Sequence, residues 1–210
     1  MIKLHRVHQF IKYFIWITLL AAIVGAIFER NWIVIFISFI ALALTFLPQI
    51  IERAYKVDIP LEFEILVVIF IYASIFLGEV KSYYAKFWWW DALLHTGSGI
   101  ALGFVGFAIL LVLYRGKKIK ASPRTIALFT FSFAVAMGAV WEIFEFSMDQ
   151  LVGTNMQKKG LVDTMWDLIV DAVGALFASL IGYIYLKKGA VLIFDKLIKK
   201  FLTENSSLIK

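Results

Sequence analysis

Apolar residues run through this chain in long, nearly unbroken stretches separated by short polar ones. An α-helix rises about 1.5 Å per residue, so about 20 apolar residues cross a hydrocarbon core about 30 Å thick. Six stretches approach or exceed that length. Residues 10–28 predict a first span, with Lys3, Arg6 and Lys12 on or before its start. Residues 32–51 predict a second, which Pro48 kinks or ends. Residues 61–78 predict a third, entered through Pro60, with Glu62 and Glu64 in its first turn. Acidic groups suit a helix N-terminus, and these two are within reach of Arg53 or Lys56 in the preceding loop.

Residues 79–90 read as an interfacial segment, with Tyr83, Tyr84, Phe87 and Trp88-Trp89-Trp90 as an aromatic belt. A fourth span at 92–114 is rich in glycine, which lets helix backbones approach closely. After a basic loop at 115–124, Ser122-Pro123 caps and starts a fifth span at 125–148. A polar loop at 153–160 leads to a sixth at 163–186. Residues 191–202 then alternate apolar and lysine faces, a pattern suited to the membrane surface. A cleavable leader is the rival reading of the first span, with Val24-Gly25-Ala26 as its cleavage site. The length of that span, and the tight turn Glu29-Arg30-Asn31 straight into the next, argue for a retained helix.

Lysine and arginine orient the array. With both termini inside, 16 of the 21 basic residues fall on the inner side. Arg30, Lys81, Lys86, Lys158 and Lys159 fall outside, in keeping with the positive-inside rule. Composition agrees: 62% of the 210 residues are apolar and 17% charged, against about half and a quarter in soluble domains. The expected fold is therefore an all-α, six-helix transmembrane bundle. It forms a single integral membrane domain, with a site-bearing part at 88–180 and an amphipathic tail at 190–210. The net charge of +6 sits at helix ends and tails, so it points to anionic lipid headgroups and not to nucleic acid. The chain has no cysteine, which excludes disulfides, thiolate metal sites and a cysteine nucleophile.

Seven of the 15 acidic residues fall in or beside the last three spans: Asp91, Glu142, Glu145, Asp149, Asp163, Asp167 and Asp171. His95 joins them, and the other two histidines lie near the N-terminus. An ionisable group at mid-membrane costs about 3 kcal/mol even on the lenient insertion scale, so each asks for a reason. The topology puts all of them in outer turns, at one depth. Glu142, Glu145 and Asp149 form one helical stripe, Asp163, Asp167 and Asp171 another, and Asp91 and His95 are one turn apart. No lysine or arginine lies between Thr125 and Gln157, or between Gly160 and Leu186. Like charges one turn apart repel, so the cluster calls for bound cations, protons on some carboxyl groups, or both. Oxygen ligands with one imidazole favour Mg²⁺, Mn²⁺ or Ca²⁺ over Zn²⁺. The candidate ligands are Asp91, His95, Glu142, Glu145, Asp163, Asp167 and Asp171. His95, Glu142 and Glu145 are the candidates for acid–base chemistry. Plainer readings exist for some members. Asp149 and Asp163 suit a solvated membrane edge, Asp163 suits an N-cap, and His95 suits a core histidine bonded to a backbone carbonyl.

The motifs WDALLHTGSGIALG, WEIFEFSMD and DTMWDLIVDAVGAL, in that order, resemble the YjdF-type inner-membrane family and, more distantly, VanZ-like proteins. Asp91 and His95 match the first VanZ-like element, Glu142 and Glu145 the second, and Asp167, Asp171 and Gly174 the third. Asp171 stands where VanZ-like proteins usually carry asparagine, which favours the YjdF-type assignment. The resemblance implies a bacterial or archaeal membrane location. Two functional readings follow. One is a divalent-metal enzyme acting on an envelope or lipid-linked substrate. The other is an ion- or proton-coupled permease, with a non-catalytic binding protein as a third possibility. No nucleophilic-serine motif and no glycine-rich phosphate loop occurs in the sequence.

Overall fold

The structure is a computed structural model that describes residues 2–158, 160–189 and 192–209. Lys159, counted above among the outer basic residues, lies outside that set, as do Val191 at the start of the tail and Lys210. Among the described residues every regular element is helical, and six helices are long and apolar enough to cross a membrane. The chain packs as two compact units, Met1–Trp90 with Thr203–Asn205, and Asp91–Leu202 with Ser206–Lys210.

In the first unit, α1 (Ile2–Phe28) turns directly into α2 (Trp32–Leu44). Asn31 caps α2 by accepting the Val34 amide at 3.2 Å, which satisfies one of the free N–H groups of the first turn. The second span breaks at Thr45-Phe46 and resumes as α3 (Leu47–Tyr55). Thr45 holds the break: its hydroxyl donates to the Leu42 carbonyl at 2.6 Å and accepts the Trp16 indole N–H at 2.9 Å. Pro48 sits in the first turn of the resumed helix, where its missing N–H is no loss. Helix α4 (Leu61–Ile71) continues into a π-helical stretch, Tyr72–Val80, two residues past the expected end of the third span. The Ala73 carbonyl in that stretch accepts the Trp90 indole N–H at 3.3 Å. A short α5 (Tyr83–Lys86) occupies the segment read as interfacial. Ile15, Leu19, Ala41, Val68 and Phe76 form the core. Asn205 closes the loop after α3, its side chain accepting the Asp58 N–H and donating to the Asp58 carbonyl, both at 2.7 Å.

The second unit is built from α6 (Trp90–Arg115), whose first residue belongs to the first unit, α7 (Pro123–Val152) and α8 (Leu161–Lys188). The amphipathic α9 (Leu192–Glu204) and a short α10 (Ser206–Ile209) follow. The three long helices run a few residues past the apolar stretches at each end, because capping groups and not hydropathy stop them. Ser122 accepts the Thr125 amide at 3.1 Å with Pro123 in the first turn of α7. Gly153 ends α7 at φ 77°, a left-handed conformation that glycine adopts without a Cβ clash. Phe107, Leu111, Ile126, Tyr185 and Ile198 form this unit's core. Phe194 of α9 stacks on Phe104 at 5.1 Å and meets Phe177 at 6.3 Å, while Lys196 and Lys199 are exposed.

Both units expose apolar side chains on a scale that water does not tolerate. Phe28, Leu151 and Trp88 are each at least 84% exposed. Surfaces of that kind mark contact with lipid or protein. Six apolar helices of spanning length with such faces describe a multi-pass membrane protein.

Candidate functional site

The site lies where α6, α7 and α8 come closest. A Cβ added at Gly99 of α6 would run into the Asp171 carbonyl, and one at Gly174 of α8 into the Thr96 carbonyl. One at Gly138 of α7 would strike the Asp171 carboxylate. Three glycines on three helices thus let the backbones close around Asp171, which is 1% exposed.

Asp171 directs both of its oxygens at α6. Oδ2 lies 3.3 Å from Nδ1 of His95, and Oδ1 accepts the Ser98 hydroxyl at 3.1 Å. A carboxylate at Asp171 would accept the Nδ1 proton, and Nε2 would then offer a lone pair to an ion whenever the ring is neutral. This is the arrangement in which a carboxylate fixes the tautomer and orientation of a ligating histidine. Nε2 lies 3.8 Å from Oδ1 of Asp91, one turn earlier on α6. One ligand atom from each of Asp91, His95 and Asp167 lies within 4.8 Å of the other two. His95 and Asp167 are buried and Asp91 is half-buried. Ligand atoms about 2.1 Å from a magnesium ion sit about 3–4 Å apart, so a small closure of these side chains would complete three corners of a coordination sphere.

Glu142 of α7 is 4% exposed, and neither of its carboxylate oxygens has a hydrogen-bond partner among the described residues. Thr164 stands beside it without a hydrogen bond of ordinary geometry. Glu142 is within electrostatic reach of His95, Asp171 and Asp163. Most buried polar side chains have a partner, so an orphaned carboxylate beside two acidic neighbours and a histidine calls for a reason.

The remaining residues singled out by sequence take more peripheral places. Glu145 is half-buried and accepts the Trp141 indole N–H at 2.9 Å, while remaining within electrostatic reach of Glu142, His95 and Asp91. Asp163 is half-buried in the first turn of α8, within reach of Asp167. It does not cap the helix, because Gly160 takes that position. Asp149 turns away from the cluster to hold the loop at 153–160. It accepts the Thr154 hydroxyl and the Met156 amide at 2.7 Å and the Gln157 amide at 2.9 Å.

Two participants were not foreseen from sequence. Ser98 lies one turn beyond His95 on the same face, and that spacing was the available signal. Lys158, from the loop between α7 and α8, lies 3.8 Å from Oδ2 of Asp91. No helical spacing connects a loop residue to a site, so nothing in the sequence marks that pairing. Lys158 offsets one of six clustered carboxylates, which leaves the site strongly acidic.

No solved structure matches this chain. An uncharacterized protein of Thermotoga maritima is 27% identical over 138 residues, covering 66% of this chain and 70% of that protein. Residues 11–188 match a family described as "Predicted membrane protein (DUF2238)". The matched stretch takes in all three helices of the site and most of the first unit as well, well beyond the region 88–180 that the motifs cover. With that extent of match, the chain belongs to the predicted membrane protein family DUF2238.

Proposed function

We propose that the cluster holds a divalent cation and that the protein is a membrane enzyme. Its substrate would be an envelope or lipid-linked molecule, met at the outer half of a bacterial or archaeal cytoplasmic membrane. The observation that carries this reading is Glu142, buried with both oxygens unbonded beside the Asp91–His95–Asp167 group. An uncompensated buried charge costs several kcal/mol, which a bound cation would offset. Mg²⁺, Mn²⁺ or Ca²⁺ suits the oxygen-rich donor set better than Zn²⁺. Asp91, His95 and Asp167 would hold the ion, and Asp171 and Ser98 would position His95. Glu142, with Thr164 beside it, would face the ion as a further carboxylate and is the candidate to take a proton from water or a substrate hydroxyl, with Glu145 behind it. The cation's contribution would be to polarise a phosphoryl or carbonyl oxygen and to acidify water. The motif resemblance to YjdF-type and VanZ-like membrane proteins accords with envelope chemistry but carries no reaction by itself.

One observation favours a second reading. Asp91, His95 and Asp171 form a short chain of titratable groups, as proton relays do. The chain stops at Asp171, however. Beyond it α8 has no acidic or histidine residue before its end, α6 has none after His95, and α7 has none before Glu142. The buried polar groups there, Ser179 and Thr130, are a hydroxyl bonded to the Ala127 carbonyl and a threonine without solvent access. A chain of titratable groups that ends inside the bundle suits an enzyme better than a permease.

The deciding experiment is metal analysis of purified protein together with anomalous scattering from crystals grown with Mn²⁺. About one or two ions per chain at the Asp91–His95–Asp167 position support the reading. Metal-free protein that carries protons across liposome membranes supports the relay instead.

A further inference from the structure

The first unit holds a second polar cluster that the proposed chemistry does not use. Glu64 of α4 is 8% exposed. The sequence suggested Arg53 or Lys56 as its partner, but it is buried against α1 instead. Nε2 of His8 lies 3.3 Å from Oε1 of Glu64, and Nζ of Lys12 lies 3.7 Å from the same oxygen. The Gln49 amide nitrogen of α3 also donates to it. Lys12 therefore balances Glu64. Its ammonium also lies 5.2 Å from the Trp16 ring centre and 5.8 Å from that of Phe46, a cation–π arrangement that fixes its position.

Beside this cluster is a cleft of about 360 Å³ lined by Lys12, Phe46, Gln49, Ile50 and Arg53. Its volume lies at the lower end of the range for small-molecule sites, about 300–1,000 Å³. With Lys12 set against Glu64, the Arg53 charge is in excess, and Arg53 makes no ion pair among the described residues. His8 adds positive charge whenever it is protonated. The cleft also presents exposed apolar surface, with Phe46 at 42% and Ile50 at 58% exposure. Lys12, at the start of the apolar stretch of α1, and Arg53, near the end of α3, lie toward the end of the unit that the basic-residue count places inside.

We infer that this cleft is a binding site for the headgroup of an anionic glycerophospholipid of the inner leaflet. The phosphodiester would sit between Arg53 and Lys12, with the glycerol and first acyl carbons over Phe46 and Ile50. One negative charge matches the one excess positive charge. A guanidinium suits phosphate because its planar fork donates two parallel hydrogen bonds. Inorganic phosphate shares that chemistry but would leave Phe46 and Ile50 uncovered, so the lipid is the better occupant. The inference is independent of the outer cation site.

Native mass spectrometry of the full chain, titrated with phosphatidylglycerol, phosphatidylcholine or inorganic phosphate, tests it. One phosphatidylglycerol per chain should bind at least about tenfold more tightly than phosphatidylcholine. Arg53→Gln should remove that preference. Arg53 is exposed and has no ion-pair partner, so this variant should fold as the parent does. Lys12→Gln should also weaken binding, with thermal unfolding in detergent measured alongside to confirm the fold. Equal binding of the two lipids, or unchanged binding in folded Arg53→Gln protein, would overturn the inference. Full displacement of the lipid by millimolar phosphate would also overturn it, in favour of a free-anion site.

Discussion

Nδ1 of His95 lies 3.3 Å from Oδ2 of Asp171, joining α6 to α8 across 76 positions of sequence. This contact separates two roles that sequence alone had merged. Asp171 holds the imidazole, whereas Asp91, Asp167 and Glu142 are the carboxylates that the proposed site sets around a cation.

The proposed cation site is tested by Asp167→Asn, which changes a ligand, and Glu142→Gln, which removes the carboxylate facing the ion. Each amide is nearly isosteric and still accepts a hydrogen bond, but it lacks the charge a cation needs. Divalent-cation affinity, read by isothermal titration on detergent-solubilised protein, should fall by about a hundredfold or more, about 3 kcal/mol. Membrane insertion should be unchanged or easier. Full cation binding in either variant would remove that residue from the site.

The positioning role of Asp171 predicts a smaller effect. Asp171→Asn should lower cation affinity by about 10- to 100-fold, in the range seen when a ligand's supporting partner is changed. Ser98→Ala should cost less than Asp171→Asn, because a neutral hydrogen bond contributes about 1 kcal/mol. If Asp171→Asn abolished binding as completely as Asp167→Asn, Asp171 would be a ligand itself.

Asp149 predicts a mechanical phenotype instead of a chemical one. Asp149→Ala removes the acceptor for three hydrogen bonds of the 153–160 loop. The loop should become sensitive to protease added on its own side of the membrane, and stability should drop by about 1–3 kcal/mol. Cation affinity should change far less than in Asp167→Asn. Unchanged proteolysis would show that the loop is held by other contacts.

The orientation is open to a direct check. A reporter fused after Lys118 should read cytoplasmic, and one inserted at 154–157 should read extracytoplasmic. The opposite pair of readings would move the acidic cluster to the inner half of the membrane and remove the basis for an external substrate.

The spans were legible because run length in apolar residues is fixed by bilayer thickness, whatever the tertiary fold. Their ends were less so. Ser122-Pro123 was readable as the start of α7, but Gly153 ends that helix through a backbone conformation that hydropathy does not register. The π-helical stretch at Tyr72–Val80 had no sequence signal, since it includes a carbonyl satisfied by Trp90, 17 positions away. That Asp91, His95, Glu142, Asp167 and Asp171 come together followed from helix direction and helical rise. Which carboxylate meets which partner did not follow, because that depends on helix rotation. Glu64 gives the same lesson: its place in a first turn suggested the adjacent loop, yet packing against α1 buries it beside His8 and Lys12.

The glycines around Asp171 have a bearing on variation in this chain. Alanine at position 99, 138 or 174 would leave predicted spans, basic-residue counts and every acidic residue untouched. It would even favour helix by about 1 kcal/mol in isolation. Yet the added methyl would meet backbone or carboxylate atoms of the neighbouring helix. A change that a hydropathy scan treats as silent would therefore push apart the three segments that meet at Asp171. An inventory of natural or engineered variants that weighs only charged positions would overlook the residues that hold those charges together.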